Sequence, residues 1–168
     1  MWKDKLDLEV VLSNLIEEYK ICLNNFKKLF KLTKQQQENI INEKYDRLET
    51  LINKKKEFIN RIKQAQREIN ILQKQLANKF GISNNESFVQ ELLKDDIPYK
   101  SKLKNISDKI KKLITKLKEM DKKNQELLEK SKKTLQQKLK QLNEGQKVFN
   151  SYNSNNKNRE GKFFDNKG

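Results

Sequence analysis

The feature that most constrains the fold of this chain is an apolar run whose spacing alternates between three and four residues. The run is Leu103, Ile106, Ile110, Leu113, Leu117, Met120, Asn124 and Leu127. Such spacing returns to one face of an α-helix, and over several heptads it is typical of a helix packed lengthwise against other helices. Asn124 is the one polar member, and a buried polar residue on such a seam can fix the packing register at some cost in stability.

Little elsewhere in the sequence interrupts a helix, because the 168 residues include one proline and four glycines. We therefore predict an all-α fold, an elongated antiparallel helical hairpin plus a long third helix, packed as a three-helix bundle or coiled coil. The predicted helices cover residues 6–39, 43–80, 84–94 and 98–144, with a turn near Asn42. Gly81 and Gly145 are expected to end helices. The bundle then spans 1–144, and 145–168 form a disordered, flexible tail.

The sequence lacks the residues on which most catalytic and metal sites depend. There is no histidine, Cys22 is the one cysteine, and each glycine stands apart from the others. Histidine-based triads, zinc sites and glycine-rich phosphate loops are therefore not expected. We predict that the protein is not an enzyme and needs neither metal nor cofactor, and that Cys22 is a small core residue.

The location of the protein is predicted from two further absences in the sequence. No run approaches the roughly 18 apolar residues that a membrane span requires. The first residues contain early acidic side chains and lack the apolar stretch of a signal peptide. We expect no membrane insertion and a cytoplasmic location.

The net charge of +15 allows two interpretations. A basic coiled coil can bind nucleic acid, and such binding falls steeply with salt. Only four residues are arginines, however, and the lysines are spread around the helices. A solvated lysine surface is the preferred interpretation, and no nucleic acid is expected as a partner.

A leucine stripe continues past the seam, through Leu127, Leu128, Leu135, Leu139 and Leu142. The apolar face of the first helix fades in residues 34–37, and Lys55 and Gln66 interrupt that of the second. If the last helix is longer than its neighbours, part of the stripe stays open to an amphipathic helix of a client protein. The alternatives are that the stripe packs inside the bundle or in a homodimer.

Three stretches of this sequence resemble the FlgN family of flagellar export chaperones. The first is the hairpin, Tyr19 to Phe30, then the turn near Asn42, Tyr45-x-x-Leu48-x-x-Leu51-Ile52 and Lys56-Glu57. The second, Met120 to Leu128, is similar to the family's asparagine followed by paired leucines in its last helix. The third is the tail, with Tyr152 after that helix and Gly161 downstream. The family's usual Gly-Asp at the hairpin turn is replaced here by Ile41-Asn42-Glu43.

The resemblance implies a function and its site. Such chaperones bind the terminal helical segments of the hook–filament junction proteins, hook-associated proteins 1 and 3. They deliver these clients to the cytoplasmic domain of the export gate, FlhA. The resemblance places client binding at Asn124, Leu127, Leu128, Leu135, Leu139 and Leu142. It makes Tyr152 the contact to the export gate.

Two questions remain open at the level of sequence. A self-associating structural coiled coil would show the same stripes, and it predicts an oligomer in which every stripe is buried without a client. The pair Phe163-Phe164 in the polar tail is either a short docking motif for a partner or a contact back onto the bundle.

Overall fold

The computed structural model describes the backbone of residues 2–163 and the side-chain surroundings of residues 4–155. Four α-helices follow one another, and no strand occurs in this part of the chain. They are α1 (Trp2–Ile41), α2 (Leu48–Phe80), α3 (Phe88–Leu92) and α4 (Lys100–Phe163), with a short 3₁₀ turn at Tyr45–Arg47 between α1 and α2. The predicted all-α class is confirmed. The chain divides into two units, residues 1–124 and 125–168.

The turn between α1 and α2 lies where the sequence predicts it, although the residue at its left-handed position is not the usual glycine. The amide of Lys44 donates to the Asn39 carbonyl, and that of Glu43 donates to the Ile40 carbonyl. These two bonds form a Schellman motif, which ends a helix with a residue in the left-handed conformation. Glu43 takes that conformation with a φ of 57°, at a position where glycine is the usual residue. Because of this turn and the 3₁₀ segment, α2 begins five residues later than the predicted helix.

Three side-chain contacts show that α1 and α2 are antiparallel. Lys55 of α2 donates to Gln36, Gln73 donates to the hydroxyl of Tyr19, and Lys79 donates to the backbone carbonyl of Asp4. As α2 advances, its partners move back towards the start of α1. The hairpin predicted from the sequence is therefore present.

Gly81 ends α2, as predicted. Its φ of 64° is left-handed, and the amide of Ile82 donates to the Ala77 carbonyl. The short α3 follows and places Phe88 and Leu92 in the core with Leu12. Tyr99, with a φ of 58°, separates this connection from α4, so that α4 begins at Lys100 and not at residue 98.

The first part of α4 completes the core of the unit 1–124. Leu103 and Leu117 are buried in the same apolar cluster as residues of α1 and α2. Asn124 donates to the carbonyl of Thr33, close to the α1–α2 turn. This part of α4 therefore packs its heptad seam against the hairpin.

Lys55 joins three helices in the unit 1–124. Its ammonium donates to Gln36 of α1 and to Asp121 of α4, both at 3.0 Å, and its side chain is only 14% exposed. A nearly buried lysine is stabilised when its charge is paired and hydrogen-bonded. The residue that interrupts the apolar pattern of α2 thus marks where the three helices meet.

The predicted end of the last helix at Gly145 is wrong. The helix α4 continues to Phe163, and no left-handed φ is found at Gly145. Glycine inside a helix costs about 1 kcal/mol relative to alanine, which the flanking helix formers tolerate. Flexibility of residues 145–168 stays a prediction.

Candidate partner-binding surface

The part of α4 in the second unit is almost entirely exposed. Leu127, Leu128 and Ser131 are half-buried, and every described side chain from residue 132 to residue 155 is exposed. Helices in water normally cover an apolar stripe with another element. An apolar stripe within residues 132–155 is therefore a candidate for binding a partner.

Such a stripe exists, and we call it the leucine face: Leu135, Leu139, Leu142 and Phe149. Leu135, Leu142 and Phe149 are seven residues apart, and Leu139 lies four residues after the first of them. Residues with these spacings project from the same side of a helix. Their side chains are 48%, 59%, 66% and 65% exposed, respectively.

Gly145 lies beside the leucine face, between Leu142 and Phe149 along the helix. A shallow groove along the helix is lined by Leu142, Gly145, Phe149 and neighbouring polar side chains. A Cβ atom built on Gly145 would meet nothing within 4 Å. The absent side chain thus leaves open space beside Leu142 and Phe149.

The predicted site residues separate into two groups. Leu135, Leu139 and Leu142 lie together on the exposed leucine face, and Leu127 and Leu128 are half-buried. Tyr152, one helical turn after Phe149, is 70% exposed. Asn124 is not part of this surface, because it is buried inside the unit 1–124.

Asn124 has a different environment from the leucines predicted with it. Its side chain is 2% exposed, and its amide nitrogen donates to the Thr33 carbonyl at 3.1 Å. Its carbonyl oxygen, Oδ1, has no hydrogen-bond partner among the described residues. The structure thus places Asn124 where it can set the register of α4 on α1, the other role that the sequence suggests for it.

Phe149 and its neighbour Val148 are missed by the sequence analysis. Both are exposed, and both follow Gly145, where the last helix was expected to end. The available signal was the interval of seven residues from Leu142 to Phe149, which continues the stripe across the glycine.

Cys22 is enclosed by apolar residues of the core. The residue is buried in the core cluster, and burial raises the pKa of its thiol to about 11. The thiolate is the nucleophilic form of cysteine, so a raised pKa leaves the group inert near neutral pH. Its interpretation as a core residue is confirmed.

Comparison with known proteins identifies the family. The FlgN protein family matches residues 8–160, nearly the whole chain. The chain belongs to the FlgN family. This family consists of flagellar export chaperones and not of enzymes, and its members bind flagellar hook-associated proteins. The FlgN match includes the leucine face and Tyr152. No curated protein and no solved structure matched the chain.

None of the helices in the described residues is both long enough and apolar enough to cross a bilayer.

Proposed function

We propose that this protein is a cytoplasmic flagellar export chaperone that holds a terminal helical segment of a hook-associated protein on its leucine face. The chaperone keeps that segment from assembling early and delivers it to FlhA, the export gate. The observation that carries the proposal is the exposure of Leu135, Leu139, Leu142 and Phe149 on one side of a helix, in a chain of the FlgN family.

The energetics of the leucine face suit a reversible carrier. Fully burying a large apolar side chain is worth roughly 1.5–3 kcal/mol relative to full exposure. The four side chains of the leucine face are already a third to a half covered, so a partner gains roughly 4–7 kcal/mol from them before costs. Association and the ordering of the client remove several kcal/mol of this sum. The four side chains alone therefore support weak, reversible binding, and micromolar affinity, about −8 kcal/mol, requires further contacts with the client. Affinity of this order holds a client and still releases it at the gate.

A helical client fits this surface better than an extended one. The face is a single stripe along one helix, and its residues recur at intervals of three, four and seven. An amphipathic helix presents apolar residues at the same intervals, so its side chains can interdigitate with the leucines. An extended strand would need an unpaired sheet edge to bind its backbone, and residues 2–163 contain no strand.

Tyr152 is the proposed contact to the export gate. Its exposed ring lies one turn after Phe149, at the edge of the leucine face. Tyrosine suits such contacts, because it combines a large apolar ring with a hydrogen-bonding hydroxyl. A gate contact next to the client site would bring the client to the gate in the same binding event.

The experiment compares three variants in binding to the C-terminal helical segment of a hook-associated protein. Leu139→Asp should weaken binding about thirtyfold or more, because it removes roughly 2 kcal/mol of apolar burial and adds a charge. Gln137→Asp is the matched control: it adds the same charge on the opposite side of the helix and should bind like wild type. Tyr152→Ala should keep client binding and weaken binding to the FlhA cytoplasmic domain.

Two results would count against the proposal. If Leu139→Asp binds the segment as wild type does, the client site lies elsewhere. If wild type sediments as a stable dimer that Leu139→Asp converts to monomers, and no client binds, the leucine face joins two copies of a structural coiled coil.

A further inference from the structure

Lysines border the leucine face on both sides. Lys132 lies three residues before Leu135, and Lys138 lies three residues after it. At about 100° per residue, these positions fall about 60° to either side of Leu135. Both side chains are exposed. Neither forms an ion pair within the part of the chain whose side-chain surroundings are described.

The surrounding helix has the same sign of charge. Residues 130–155 contain six lysines and one acidic residue, Glu144, for a net charge of +5. Glu144 is nine residues after Leu135 and therefore lies on the opposite side of the helix. A partner on the leucine face thus meets one lysine on each side, beside Leu135, on a helix of net positive charge.

We propose that the leucine face binds amphipathic helices whose apolar stripe is bordered by aspartate and glutamate. This inference rests on the proposed function and specifies the chemistry of its client. In paired helices, the residues beside the apolar seam form ion pairs that determine partner choice and orientation. Acidic edges would pair with Lys132 and Lys138, and basic edges would place like charges opposite each other.

The same charges argue against a second copy of this chain as the occupant. Two leucine faces packed together would bring two lysine-bordered helices, each with a net charge of +5, into contact. Juxtaposed like charges disfavour such pairing. A nucleic acid would satisfy the lysines, but it would leave the leucines without an apolar partner.

The test uses designed peptides of about 20 residues with the full-length protein. All share one leucine stripe at 3-4 spacing, and their flanking positions are all glutamate, all glutamine or all lysine. At low salt, the glutamate peptide should bind at least about tenfold more tightly than the lysine peptide. High salt should reduce this difference, because it screens exposed charges.

Charge-reversal variants locate the effect on the helix. The double variant Lys132→Glu/Lys138→Glu should reverse the preference, so that the lysine peptide binds more tightly. Lys133→Glu/Lys140→Glu makes the same change in net charge about 140–160° from Leu135. This control should retain the preference for the glutamate peptide.

The outcomes separate this inference from the proposed function. If all three peptides bind equally and Leu139→Asp abolishes their binding, the acidic preference is wrong and the client site stands. If Leu139→Asp leaves peptide binding unchanged, the client site itself is wrong. Dimerisation of the chain through the leucine face, or binding of a DNA duplex that displaces the glutamate peptide, would also overturn the inference.

Discussion

The helix α4 carries apolar residues at similar spacing in both units of the molecule, with opposite results. In the unit 1–124, Leu103 is fully buried and Leu117 is 5% exposed. In the second unit, Leu135 and Leu142 are about half and two-thirds exposed. The comparison shows that apolar spacing identifies the side of a helix that can pack against another element. It does not identify the element that covers that side.

The difference arises from the neighbouring helices. The hairpin of α1 and α2 surrounds the seam of α4 in the first unit, and α3 adds Phe88 to the same cluster. All described residues of the second unit belong to α4 itself. The seam therefore contributes to the stability of the fold, and the leucine face is exposed.

The largest expected effect is the difference in unfolding free energy between a substitution in the buried seam and one in the exposed leucine face. Leu103→Ala should lower the free energy of unfolding by about 2–5 kcal/mol, because it leaves a cavity in a fully packed site. Leu139→Ala should change it by less than about 0.5 kcal/mol, as exposed substitutions usually do. Urea denaturation of both variants measures the contrast. A comparable loss in both would mean that the leucine face is packed in solution.

An intermediate effect on the free energy of unfolding is expected at alkaline pH. It arises from Tyr19, a residue of the unit 1–124. Burial raises the pKa of Tyr19 to about 12, although Gln73 donates a hydrogen bond to its hydroxyl. The unfolded chain loses this proton near pH 10. The stabilising contribution is therefore complete below pH 10 and lost as the pH rises towards 12, by about 3 kcal/mol in total.

Tyr19→Phe provides the measurement. The fall in unfolding free energy between about pH 9 and 11.5 should be smaller in this variant than in wild type. Comparing the two proteins removes the contribution of the lysines, which titrate in both. Identical pH profiles would show that the Tyr19 hydroxyl is solvated in the folded protein.

The smallest of the three effects concerns Asn124, the polar residue of the seam. Asn124→Leu should raise the free energy of unfolding by about 1 kcal/mol, because it replaces a buried carbonyl oxygen that has no partner with an apolar group. Chemical denaturation measures the gain, and sedimentation tests whether α4 keeps a single register. A loss of stability would show that the bond from Asn124 to Thr33 outweighs the unpaired oxygen.

Much of the fold could be predicted from the sequence, because it depends on local signals. The 3-4 spacing from Leu103 to Leu127, the scarcity of proline and glycine, and the stop at Gly81 are all visible in the chain itself. The end predicted at Gly145 is wrong, because one glycine costs only about 1 kcal/mol in a helix with strong helix formers on both sides.

The candidate site was predicted less completely, for a physical reason. The sequence indicates that Asn124 and Leu139 belong to apolar stripes, and periodicity treats both alike. Only the structure shows that Asn124 is enclosed beside Thr33 while Leu139 faces water. Lys55 likewise interrupts the pattern of α2 in the sequence, and its contacts to α1 and α4 appear only in three dimensions.

The sequence by itself thus determined the helices and their apolar sides, since both follow from propensity and spacing along the chain. The tertiary structure decided which leucines are enclosed and which stay exposed to water. Burial depends on residues far apart in sequence that meet when the hairpin closes, and no local pattern contains that information.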